Sequence, residues 1–277
     1  MRATGALCLL ETGPTNEQPA VDFETDWPEV FDAITGKAID PKLVAEARAL
    51  ELDYIRRCNV YRFVPRGLAK ANTGRPPIKT KWVDTDKGDE LRPNIRCQRL
   101  AMEIKRSWQA TAFAGTPPLE SLRFLVSLAT FRSKFNTVER PYKMLFIDIR
   151  RPHFMADAQR ELYVEIAPEE QVLFPDRMCG RLIKSMYGAQ DADQDCEHEY
   201  GNFLVGESFA QGLNSPCLFY HAVRDIRIEV HGDDFTCLAH EAELLWLVTR
   251  FEPRYEIKGR LGRTQRIAGK CMFLTAF

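Results

Sequence analysis

Apolar and polar residues alternate strictly between positions 226 and 230, and a second apolar run follows at 235–239. Alternation with a period of two is typical of a half-buried strand. Gly232, Asp233 and Asp234 separate the two runs, and glycine and aspartate are residues that favour tight turns. The pattern therefore predicts a β-hairpin that presents two carboxylates at or beside its tip.

A helical period of apolar positions marks four other segments. Asp40 can cap a helix and Pro41 suits a first turn, and this helix is predicted to run to about Arg57. Its expected buried stripe consists of Leu43, Ala47, Leu50 and Tyr54. The other three helices are predicted at 118–129, at about 189–205 and at 241–251.

Short apolar runs predict further strands at 60–64, 144–149, 216–220 and 255–258. A second hairpin is predicted to join 78–83 to 94–101. It carries four basic residues, Lys79, Lys81, Arg96 and Arg99. Two interpretations of these cations remain open, a solvated basic ribbon or a flap that grips phosphate groups.

Asp148 interrupts the apolar run 144–149. A charge in a buried strand is costly unless it is paired or bound to a metal. One interpretation is an aspartate at a strand end that pairs with Arg150 or Arg151. In the other, Asp148 joins the acids of the hairpin tip at a functional site.

From Asp148 onward the predicted order is strand, helix, strand, hairpin, helix, strand. That order is close to the split βαβ pattern, an α+β fold whose antiparallel sheet has helices on one face. In such a sheet the end of the first strand lies beside the hairpin tip, which brings Asp148, Asp233 and Asp234 together. Clustered carboxylates repel one another unless divalent cations lie among them, and two Mg²⁺ ions suit such oxygen ligands.

Composition adds limits to this picture. The chain has 277 residues, a net charge of −1 and 28% charged residues, which are values of an ordinary globular protein. Any contact with nucleic acid must therefore come from local basic patches. Its eight cysteines contain no Cys-x-x-Cys pair, and its apolar runs are too short for a membrane span. We therefore expect an intracellular protein, in the cytoplasm or nucleus, with no membrane partner.

Six short motifs follow one another between residues 78 and 262: LESLRFLVSLA, FIDI, ELYVEIAP, RLIKSMYG, SPCLFY and VHGDDF. In their order and spacing they resemble the reverse transcriptase domain of Ty1/copia-type retrotransposon polyproteins. The resemblance implies a polymerase palm with a fingers β-hairpin. It also implies RNA- or DNA-templated DNA synthesis, with a primed template and dNTPs as partners.

The same resemblance assigns roles to individual residues. It implies that Asp148 and Asp233 bind two Mg²⁺ ions, which Mn²⁺ can replace, and that Asp234 is the assisting acid. It implies that the four cations of the 78–101 hairpin grip the incoming triphosphate. Tyr187 and Gly188 fall in the segment that places template and nucleotide.

The chain also departs from the family pattern. Pro152 and His153 stand where a small residue and an aromatic residue are usual, so His153 occupies the position that checks the 2′ carbon of the sugar. Residues 231–232 replace a usual Tyr-Val pair. In the stretch 96–100, either the usual arginine has moved by one place to Arg99, or Gln98 has replaced it.

These patterns predict four parts of the chain. They are a poorly ordered segment 1–26, a helical lead-in 27–77, the fingers and palm 78–262, and a short unrelated tail 263–277 with no thumb. Three functions remain open: an active reverse transcriptase domain, a decayed fragment that binds metal or nucleic acid weakly, and an interaction module whose acids are structural.

Overall fold

The computed structural model describes residues 29–89, 91–104, 115–174, 177–257 and 273–275. The expected lack of order in 1–26 and most of the expected tail 263–277 therefore lie outside the described residues.

The described residues form six α-helices, of which α6 has the predicted bounds and α1, α3 and α5 lie where helices were predicted. They are α1 Pro41–Arg57, α2 Arg66–Thr73, α3 Leu119–Thr130, α4 Pro168–Gln171, α5 Ala192–Gly206 and α6 Glu241–Phe251. No helix in the described part of the chain is long and apolar enough to cross a bilayer.

Thirteen strands lie in the same described residues, and the two predicted hairpins are among them. They are β1 Val30–Phe31, β2 Ala38–Ile39, β3 Tyr61–Pro65, β4 Thr80–Asp86, β5 Ile95–Ala101, β6 Tyr142–Asp148, β7 Tyr163–Val164, β8 Met178–Leu182, β9 Ala210–Gln211, β10 Leu218–His221, β11 Ile226–His231, β12 Asp234–His240 and β13 Phe273–Thr275.

The largest sheet has six strands in the order β13, β6, β12, β11, β10, β9, and we call it the central sheet. All its strand pairings are antiparallel, which confirms the predicted α+β class with antiparallel pairing. Strand β13 lies in the expected tail and pairs with β6, so this part of the tail extends the sheet. The predicted strand 255–258 is reduced, in its described part, to a bridge between Ile149 and Ile257.

One face of the central sheet is covered by α5 and α6. Ile147, Ile228 and Phe235 point to this side and share a buried core with Leu204 of α5 and Phe251 of α6. These two helices follow strands in the chain, as the split βαβ pattern predicts.

Helix α3 packs on the opposite face. Its Leu125 and Ala129 contact a second buried cluster with Tyr142, Met144 and Leu238. The prediction of helices on one face therefore differs from the structure. Strands β6 and β12 carry apolar side chains on both faces. Both faces of the sheet must therefore be covered by other elements.

The buried stripe of α1 includes the predicted Tyr54, which is 4% exposed, but differs from the prediction at Leu50. Leu50 is 70% exposed, whereas Val44, Glu51 and Ile55 are buried. These three positions share one helix face. Because one of them is an acid, the apolar pattern of the sequence does not identify this face. Burial of Glu51 depends on Arg151, which lies 100 positions further along the chain.

Candidate active site

The β11–β12 hairpin closes through a two-residue turn, Gly232 and Asp233. His231 pairs with Asp234 across the turn. Gly232 has a φ of 63°, and glycine with positive φ at the first turn position is what a type II′ hairpin turn requires. The turn therefore fixes Asp233 at the tip and Asp234 at the start of β12.

Asp148 lies directly opposite Asp234 in the β6–β12 register. The Ile149 N–H donates to the carbonyl of Asp233 at 3.1 Å. That bond makes the 149–233 pair the hydrogen-bonded one, so the neighbouring 148–234 pair is non-hydrogen-bonded, with Cα atoms about 4.5 Å apart. Because they are directly opposite one another, the two acids lie on the same side of the sheet. Asp148 is fully buried there, and Asp234 is exposed.

The charge of Asp233 reaches the α5 side of the hairpin. Burial is the main cause that raises the pKa of Tyr187 and of Cys196, and the carboxylate of Asp233 raises both further. Asp233 also opposes the lowering of the pKa of His153 by burial. The backbone pairing thus places Asp148 opposite Asp234, with Asp233 in the adjoining turn.

The two arginines after Asp148 pair with other carboxylates. Arg150 binds Glu256 at 2.6 Å, and Arg151 donates to Glu51 at 2.7 Å. Each of the two arginines therefore has a carboxylate partner other than Asp148.

Glu51 and Arg151 form a buried ion pair that the sequence did not reveal. Burial raises the pKa of Glu51, and the guanidinium of Arg151 opposes that rise. Arg151 adopts a left-handed φ of 50° and stacks on the ring of Tyr54 at 4.2 Å. The signal in the sequence was an acid in the apolar stripe of α1, and its effect is to anchor α1 beside the end of β6.

His153 is held on three sides. Its Nδ1 lies 3.1 Å from the carbonyl of Ala192, its Nε2 lies 3.6 Å from Asp193, and its ring packs edge-on to Tyr187 at 4.3 Å. Burial lowers the pKa of His153, while Asp193 acts in the opposite direction. The contacts therefore hold the imidazole in place near the hairpin tip.

Tyr187 and Gly188 dock on the end of β5. The N–H of Ala101 donates to the carbonyl of Tyr187 at 2.7 Å, and that of Glu103 donates to the carbonyl of Gly188. Gly188 has a φ of 83°, and a Cβ on it would lie 2.0 Å from the carbonyl oxygen of Ala101. This close approach joins the β4–β5 hairpin to the segment before α5.

The four cations of the β4–β5 hairpin do not share one face. Pairing places Lys81 and Arg96 on the same side as Gln98, and Lys79 is exposed before the strand. Arg99 lies on the other side, 5% exposed, with its guanidinium 5.2 Å from the centroid of the Trp82 ring.

Gln98 therefore shares a face with the outward cations, and Arg99 belongs to the interior. Arg96 lies close enough to Tyr187 to oppose the rise in that tyrosine's pKa. Arg96 and Asp233 therefore have opposite effects on the pKa of Tyr187.

Carboxylate oxygens are the donors that Mg²⁺ and Mn²⁺ prefer, and three acids at the hairpin end fit such ions in donor type. Like charges directly opposite one another destabilise a strand pair, and a cation would relieve that repulsion. No group of three or more His, Cys, Asp or Glu side chains among the described residues is arranged to hold a metal.

Asp195 of α5 gives a pH-dependent prediction. It is 4% exposed, and burial, followed by the charge of Asp191, raises its pKa to about 6. Because the unfolded carboxyl titrates near 3.9, the stability from its protonated form is complete below about pH 4 and is lost as the pH rises to about 6. Asp195→Asn should therefore raise the free energy of unfolding by up to about 3 kcal/mol near pH 8 and hardly change it near pH 4.

Urea unfolding at several pH values measures this difference. Asp53→Asn is the matched control, because Asp53 is an exposed helical aspartate. Wild type and Asp195→Asn profiles that run parallel with pH would contradict the prediction.

No protein-family model matches the chain. The chain is 22% identical over 228 residues to the Retrovirus-related Pol polyprotein from transposon TNT 1-94 of Nicotiana tabacum. The match covers 79% of this chain and 16% of that polyprotein, so the chain spans about a sixth of the length of this relative. The chain is thus distantly related to a copia-type retrotransposon Pol polyprotein.

Proposed function

We propose that this chain forms the palm and fingers of an RNA-directed DNA polymerase. The central sheet with α5 and α6 is the proposed palm, and the β4–β5 hairpin is the proposed fingers. The observation that carries the proposal is the hairpin with Asp233 in its turn and Asp234 opposite the buried Asp148. The distant relation to a retrotransposon Pol polyprotein supports it.

Three acids are the proposed catalytic residues. Asp148 and Asp233 hold divalent cations, and Asp234 assists. When bound, two Mg²⁺ ions lower the pKa of the attacking 3′ hydroxyl and neutralise the charge that develops on the phosphates. The turn contributes by fixing the position of Asp233, and β6 by burying Asp148 opposite Asp234.

The other proposed contacts are with the nucleotide. Lys79 and Lys81 bind the triphosphate as point charges, and Arg96 binds it through its planar guanidinium, from the outer face of the hairpin. His153 lies against the sugar and checks its 2′ carbon, and Tyr187 keeps the imidazole in place. Arg99, which is buried against Trp82, supports the hairpin from within.

The second candidate is a fragment that binds a divalent cation but catalyses nothing. It is favoured by two observations. The described acids do not form a ready group of three, and His153 and Gly232 depart from the family pattern.

Primer extension tests the proposal. The purified chain is incubated with oligo(dT) on a poly(rA) template, dTTP and Mg²⁺ or Mn²⁺, and a calorimetric titration with each ion is run in parallel. We expect ion binding and added nucleotides. Ion binding without primer extension would support the inactive fragment. Absence of both ion binding and primer extension would support an interaction module with structural acids.

A further inference from the structure

Exposed aromatic rings and exposed cations lie at the end of α3 and in the loop that follows it. Phe124 lies on α3 and Phe131 directly follows its last residue, and they are 59% and 69% exposed. Phe135 follows in the loop 131–141 and is 60% exposed. We call this the aromatic–basic surface; its cations are Arg123, Arg132, Lys134 and Arg140, all exposed.

These four cations differ from most arginines of the central sheet. Arg123, Lys134 and Arg140 form no ion pair with a carboxylate within the part of the chain that the structure describes, whereas Arg132 donates to the carbonyl of Thr137 at 3.0 Å and its charge helps to lower the pKa of Glu139. By contrast, the sheet and its other helices neutralise their arginines in pairs such as Arg150–Glu256, Arg224–Glu243, Arg250–Glu207 and Arg254–Glu199. In a chain of net charge −1, the aromatic–basic surface is therefore a local concentration of available positive charge.

The loop that carries these groups is fixed from beneath by Asn136. This side chain is fully buried, and its amide donates to the carbonyls of Leu128, Ala129 and Phe131 at 2.8–3.1 Å. Its oxygen accepts the N–H of Tyr142 at 2.8 Å. A loop held in this way presents its exposed rings without a large loss of entropy on binding.

The aromatic–basic surface lies away from the candidate active site. The loop leads into β6 at Tyr142, and the acids lie at the other end of the same strand, at Asp148. Six residue steps along a strand span about 20 Å. A ligand on this surface is therefore bound outside the proposed catalytic end.

We propose that the aromatic–basic surface binds single-stranded nucleic acid. Exposed rings stack on bases whatever their sequence, and cations beside them contact the phosphates, which is how sequence-tolerant single-strand sites are built. The ammonium of Lys134 lies 4.9 Å from the centroid of the Phe135 ring.

This inference goes beyond the proposed polymerase activity and does not need it. Binding is measured by fluorescence anisotropy of a labelled oligouridylate of about 20 nucleotides, with the full chain, in EDTA and over a range of salt. Phe131→Ala/Phe135→Ala should bind about tenfold more weakly or worse. Arg123→Gln/Lys134→Gln/Arg140→Gln should reduce the slope of log affinity against log salt by about 2.

Matched controls keep the result specific. Phe31→Ala removes another exposed ring, 53% exposed on β1, and Lys70→Gln removes an exposed cation of α2; both should bind as wild type. Asp233→Asn should also bind as wild type, which separates this surface from the catalytic proposal. Circular dichroism confirms that each variant is folded.

Three results would overturn the inference. They are a wild-type chain that does not bind the oligonucleotide at low salt, ring and charge variants that bind it as wild type, and variants that lose binding only to phosphatidylserine vesicles. The last outcome would identify a lipid surface instead.

Discussion

Asn in place of Asp233 should lower the rate of primer extension by about 100- to 1,000-fold, the cost typical of removing one group that stabilises developing charge. The substitution keeps the shape of the side chain and removes its charge. The type II′ turn depends on Gly232 and on backbone pairing of His231 with Asp234, so the fold should remain intact. The free energy of unfolding should therefore change by less than about 0.5 kcal/mol.

Single-turnover extension with saturating dTTP measures the rate, and the ion titration gives a second readout. Asp53→Asn is the control, since it removes the same charge from the exposed side of α1. Asp233→Asn that keeps more than about a tenth of the wild-type rate would remove this residue from the proposed catalytic set.

Ala in place of Gly188 should destabilise the chain by about 3 kcal/mol or more. A left-handed backbone costs a residue with a Cβ about 1 kcal/mol, and the φ of Gly188 is 83°. The new Cβ would also lie 2.0 Å from the carbonyl oxygen of Ala101, and overpacking of this kind costs about 1–3 kcal/mol more. Because backbone is the obstacle, the β4–β5 hairpin and the segment of Tyr187 must move apart.

Gly74→Ala separates the two contributions. Gly74 also has a left-handed φ, of 70°, but a Cβ on it meets no atom within 4 Å. It should therefore lose only the backbone cost, about 1 kcal/mol. Equal losses in denaturant unfolding of the two variants would show that Gly188 does not make the close approach described here.

Local chemistry in the sequence was enough to predict the hairpin and several helices. The alternation of 226–230, followed by Gly232 and Asp233, specifies two strands and a turn within fourteen residues. Helix α6 has the predicted bounds, and the Asp40-Pro41 start of α1 was also predicted. These features depend on neighbours in the chain, so periodicity and turn propensity are sufficient to find them.

Contacts between distant segments decided the arrangement of the candidate site. The sequence pattern predicted that three acids lie close together. Only the pairing of β6 with β12 puts Asp148 opposite Asp234 rather than Asp233. Likewise, only the register of β4 and β5 turns Arg99 inward and Gln98 outward. A shift of one residue in a strand moves each side chain to the other face, and local propensity hardly distinguishes the two registers.

Burial of charge was also decided by tertiary structure. Glu51 could be expected to face water, and the sequence placed Leu50 in the buried stripe of α1. Arg151, one hundred positions along the chain, compensates the buried carboxylate, so the helix rotates its acid inward and exposes the leucine. Propensity and periodicity describe each segment by itself, whereas the cost of burying a charge depends on what another segment brings to it.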